Sequence, residues 1–139
     1  MYDFLLQLFK AKKFWIKHLD LMVAPHFKSM TLKGLIQFRD YSEHEGKPNR
    51  FEGWESGQIK KELKAIVGEK AVVEVTTRPH GRGSATGAYE FMLTQNFASM
   101  EEKQKEIDEM LEDAVISEHV YMVKGHAIEK KLGQESHSR

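Results

Sequence analysis

Residues 71–94 read AVVEVTTRPHGRGSATGAYEFMLT. In AVVEVTT (71–77) Val73 and Val75 share one side of an extended chain. In AYEFMLT (88–94) Tyr89, Phe91 and Leu93 do the same, which is the period of two of a half-buried strand. Ten residues, RPHGRGSATG (78–87), separate the two runs and supply three glycines for turning. Two strands joined this closely predict an antiparallel hairpin.

Upstream, Ile59, Leu63, Ile66 and Val67 form an apolar stripe that predicts a helix over 57–67, with Ser56 as cap and Gly68 as left-handed stop. Before it, Leu32, Ile36 and Phe38 oppose Lys33, Gln37 and Arg39, a strand over 31–41. The segment SEHEGKPNRFEGWE (42–55) between them is too rich in Gly, Pro and charge for regular structure. Downstream, Ser99-Met100-Glu101-Glu102 is a capping box. The helix it opens runs to about Asp113, with Ile107, Met110, Leu111 and Ala114 inward. A last strand covers His119–Val123 and extends toward Ile128.

From residue 31 the order is strand, helix, strand, strand, helix, strand. That order predicts an α+β fold, a ferredoxin-like βαββαβ sandwich over residues 31–130 with two helices on one sheet face. Residues 2–23 add an amphipathic helix carrying Leu5, Leu8, Phe9, Trp15, Ile16, Leu19, Met22 and Val23, stopped by Pro25. Its apolar stripe is wide, so it is expected to cover the other sheet face, in cis or from a partner subunit. The organisation read this way is an accessory N-terminal helix (1–28), an α+β domain (29–132) and a polar tail (133–139).

The 139 residues carry 21 basic and 21 acidic side chains and no cysteine. Zero net charge argues against wholesale electrostatic binding of nucleic acid. Zero cysteine excludes disulfides, thiolate zinc sites and a cysteine nucleophile. No apolar run is long enough to span a membrane, and Phe4–Phe9 precedes the cluster Lys10, Lys12, Lys13, the reverse of a secretory signal. The expected location is cytoplasmic. Lysines on the N-terminal helix invite a membrane-surface reading, but Asp3, Asp20 and the broad stripe favour protein packing.

The loop 78–87 is the most unusual segment. Arg78, His80, Arg82, Ser84 and Thr86 among glycines are suited to an anion: backbone N–H groups converge on it and guanidinium groups grip it. It matches neither the P-loop nor the dinucleotide fingerprint, and a hairpin tip built of turn residues has the same composition. In 42–55, Glu43-His44-Glu45 has metal-ligand residue types, but adjacent residues rarely converge on one ion. Phe51 and Trp54 there are candidate anchors for a protein partner. None of the seven histidines falls in an H-E-x-x-H motif, and no Gly-x-Ser-x-Gly elbow occurs. Sheet-face RNA readers expose aromatics on central strands, whereas Phe38, Tyr89 and Phe91 lie in core-facing phase. Residues 99–118 carry eight acids against two lysines, a negative face that solvent alone can satisfy.

These readings favour a non-enzymatic interaction or regulatory protein that works through protein–protein contacts as a homo-oligomer, most simply a homodimer. No cofactor or metal is called for. Two alternatives remain at this stage: binding of nucleic acid or a phosphorylated ligand through 78–87, and a small enzyme using histidine and acid chemistry.

Overall fold

The computed structural model describes residues 1–39, 52–76, 89–124 and 128–131. Helix α1 (Tyr2–Ala11) leads into strands β1 (Phe14–Met22) and β2 (Ser29–Phe38). Then come α2 (Glu52–Val67), β3 (Ala71–Thr76), β4 (Tyr89–Asn96), α3 (Met100–Glu112), α4 (Ala114–His119), β5 (Tyr121–Lys124) and β6 (Ile128–Lys131). The chain is a mixed α+β structure in which these six strands form one sheet, ordered β3-β4-β2-β1-β5-β6. No helix among the described residues is long and apolar enough to cross a membrane.

The sheet corrects the sequence reading most sharply at the N-terminus. The helix expected over 2–23 ends at Ala11, Lys12 turns the chain in a left-handed conformation (φ 54°), and 14–22 is a strand. That strand lies inside the sheet, antiparallel to β2 and parallel to β5. The first and last strands of the expected four-stranded sheet are therefore not neighbours. Residues 114–119, expected to lead directly into a strand, form a second short helix, and α2 begins at Glu52, so Ser56 lies within it rather than capping it.

One face of the sheet is apolar in its central rows. Leu21, Leu32, Leu93 and Val73 are cross-strand partners, as are Leu19, Gly34, Phe91 and Val75. The helices supply Phe4, Leu5, Leu8, Ile59, Leu63, Ile107, Met110 and Ile116 to the same core. Phe4 meets Phe91 edge to face at 6.3 Å between ring centroids. Thus α1 joins the core layer. It does not cover the opposite sheet face, as its broad stripe had suggested.

Side chains fix the helix ends. The Ser99 hydroxyl accepts the Glu102 N–H at 3.1 Å, the cap read from the sequence. Asp113 Oδ1 accepts the N–H groups of Val115 and Ile116, both at 3.0 Å, and its Oδ2 accepts the Tyr2 hydroxyl at 2.9 Å. These hydrogen bonds, led by the one from Ile116, hold the Asp113 carboxyl below its ordinary range. Glu106 Oε2 accepts from the Met1 ammonium at 2.8 Å and the Tyr2 N–H at 2.7 Å, tying α1 to α3.

The turn between β1 and β2 is held from below. Lys103, on α3, is only 2% exposed. Its Nζ donates to the carbonyls of Val23 (2.6 Å), Ala24 (2.9 Å) and Phe27 (2.5 Å). An ammonium has three N–H donors, and each meets one carbonyl.

Candidate functional site: the open sheet face

Alternation along each strand sends the residues between the core positions to the other side of the sheet. No described helix packs there. Across β1, β2, β4 and β3 the rows are Asp20, Lys33, Met92, Glu74, and Met22, Thr31, Thr94, Val72. A third row holds His18, Leu35, Glu90 and Thr76, and Trp15 stands opposite Gln37. Tyr121 and Val123 of β5 extend the first two rows beside Asp20 and Met22. The Thr31 and Thr94 hydroxyls lie 3.2 Å apart, closing one cross-strand pair on this face.

Three large apolar side chains are exposed here: Trp15 (48%), Met22 (37%) and Val72 (63%). Leu35 and Met92 are half-buried on the strands between β1 and β3, and Tyr121 and Val123 are half-buried on β5 beside β1. Lys17 Nζ and the Arg39 guanidinium sit 5.8 and 5.9 Å from the Trp15 ring centroid, within cation–π range on the same side of the sheet. His18 Nε2 lies 3.0 Å from Asp20 Oδ1, and its ring is 5.5 Å from that of Tyr121.

A bulge aims this end of β1. Ile16 pairs with Ile36 and His18 with Leu35, so Lys17 is the extra residue. It lets Trp15, Lys17 and His18 all take part on the open face while Ile16 and Leu19 keep their phase toward the core.

The residues singled out in the sequence fall elsewhere. Arg78, His80, Arg82, Ser84 and Thr86 lie outside the described residues, as do Phe51 and the Glu43-His44-Glu45 run. Trp54 falls in the first turns of α2, a correction to the irregular segment expected there, and its side chain is outside the description. Tyr89 and Phe91 are buried, as their alternation indicated. His119, expected at a strand start, ends α4, where its Nδ1 lies 2.8 Å from the Val115 carbonyl oxygen. Among the described residues no three His, Cys, Asp or Glu side chains gather as a metal site.

Sequence reasoning did not find the open face because it placed Trp15 and Met22 on a helix. The signal available was Leu35 and Met92. Each is a large apolar residue between two core-facing neighbours, hence on the side that should be polar. The chain matches no protein-family model, no curated protein and no solved structure.

Proposed function

We propose that this chain is a non-enzymatic interaction protein, working as a homo-oligomer, whose contact surface is the open sheet face. The supporting observation is that Trp15, Met22 and Val72 are exposed, with Leu35 and Met92 half-buried, on a sheet face that no described helix covers, while the described helices pack on the other. Several large apolar side chains left exposed on one uncovered face, among polar groups, mark an interaction site. The aromatic and methionine content matches the cores of protein interfaces.

We read β2, β4, β3 and β5, with α2 and α3, as a ferredoxin-like core in which β1 is inserted between the first and last strands. A sandwich with helices on one side leaves the other side of its sheet for a partner.

The reading is tested with Met22→Asp and Val72→Asp in one chain, and Val115→Asp as control. Val115 is equally apolar and exposed, but it lies on α4. In light scattering over a concentration series, wild type and Val115→Asp are expected to self-associate and the double variant to stay monomeric. Equal association by all three would remove the open face as the contact surface.

A further inference from the structure

The open face separates its charges by strand. On β1, β2 and the residue after β2 it carries Lys17, Lys33 and Arg39 against Asp20, a net of +2 with His18 neutral. On β4 and β3 it carries Glu90 and Glu74 alone, a net of −2. The two halves are equal and opposite, and the boundary runs along the strands between β2 and β4. Leu35 and Met92, half-buried, flank that boundary.

From this we infer that the partner is a second copy of this chain, packed face to face about a two-fold axis along that boundary. The inference rests on the open face being the contact surface and adds the register of the pairing. Such an axis places β1 and β2 of each copy over β3 and β4 of the other, so the basic half covers the acidic half twice. Met22 then falls opposite Val72 of the second copy. An axis across the strands would instead set each half over itself, with like charges opposed, which costs affinity. Sheets stacked with strands roughly aligned are an ordinary packing. A nucleic acid is a poorer occupant, because the face is neutral as a whole and half of it would repel phosphate.

The size of the surface sets the strength. Four strands about 4.8 Å apart and six residues about 3.3 Å long each give a footprint of roughly 400 Å². Two corrugated faces of that size together bury on the order of 1,000 Å², the lower end of specific interfaces. The pair is therefore expected to be reversible, and single charges will show in its affinity.

The test uses two charge variants of the full chain. Lys17→Glu with Lys33→Glu makes both halves acidic, and Glu74→Lys with Glu90→Lys makes both basic. All four positions are exposed or half-buried, and unchanged thermal unfolding would verify each fold. In sedimentation velocity at low salt, each variant alone is expected to self-associate at least tenfold more weakly than wild type. Mixed one to one, they are expected to form a heterodimer. If wild type pairs and Met22→Asp/Val72→Asp abolishes pairing, yet each charge variant alone pairs as tightly as wild type, the open face stands and this register is overturned. A wild type that stays monomeric and instead binds a labelled single-stranded oligonucleotide would overturn the self-pairing altogether.

Discussion

Replacing Lys103 by methionine is expected to lower stability by about 3 kcal/mol, roughly 10 °C in thermal midpoint for a chain of this size. Methionine keeps an unbranched apolar stem along the same path, so packing is largely retained. What it removes is the donor for the carbonyls of Val23, Ala24 and Phe27. Ala24 also accepts the Phe27 N–H at 3.0 Å, so its loss is partly compensated; the other two lose a charge-assisted bond. A buried acceptor left without a donor costs about 1–3 kcal/mol, and this is why the effect is large. Burial lowers the lysine's pKa, but only the ammonium form carries as many donors as there are carbonyls. Lys105→Met, two residues away and exposed, is expected to change stability by less than about 0.5 kcal/mol. Chemical denaturation of the two variants checks the contrast. Equal effects would mean that the Lys103 cage does not hold the β1–β2 turn.

Gly34→Ala is expected to cost about 2–3 kcal/mol although it adds a single methyl group. Gly34 lies in the core-facing row between Leu19 and Phe91. A Cβ there would stand 2.7 Å from the Phe91 ring, 2.8 Å from the His18 carbonyl oxygen and 2.8 Å from Leu19 Cδ2. The leucine can turn away. The ring is packed against Phe4, and the carbonyl belongs to the strand itself, so relief requires β1 to move. Adding Phe91→Leu is therefore expected to recover only part of the loss. Gly57→Ala gives the opposite sign: a Cβ there meets nothing within 4 Å, and in the interior of α2 it is expected to stabilise by about 0.5–1 kcal/mol. Thermal unfolding of the two alanine variants distinguishes these expectations. A harmless Gly34→Ala would contradict the close approach of β1, β2 and β4.

The hairpin of β3 and β4 was legible because Val73, Val75, Tyr89, Phe91 and Leu93 alternate without interruption. The α3 cap was legible because Ser99 and Glu102 stand at the required spacing. The strand β1 was not. Its core-facing residues are Phe14, Ile16, Leu19 and Leu21, and the bulge at Lys17 stretches one interval from two residues to three. An interval of three is also the step of a helix face, and no Gly or Pro separates Ala11 from Phe14 to announce the break. The fusion of a helix and a bulged strand therefore reads as one long helix. With β1 misplaced, the open face disappeared from view, because Trp15 and Met22 define it. Lys103 was readable in part. It precedes Ile107 by four residues and Met110 by seven, in phase with the buried stripe of α3. Only the three carbonyls brought by the distant β1–β2 turn explain why a lysine belongs there.

Which face of the molecule meets a second copy is reported directly by the methionine methyl groups. Met22 and Met92 lie on the open face, Met30 and Met110 are buried in the core, and Met100 is exposed at the start of α3. Methyl-labelled methionine spectra recorded over a dilution series are expected to show Met22 and Met92 shifting together while Met30, Met100 and Met110 stay fixed. Movement of Met100 with Met22 and Met92 unchanged, or no change at any methyl group up to the highest concentration, would contradict pairing through the open sheet face.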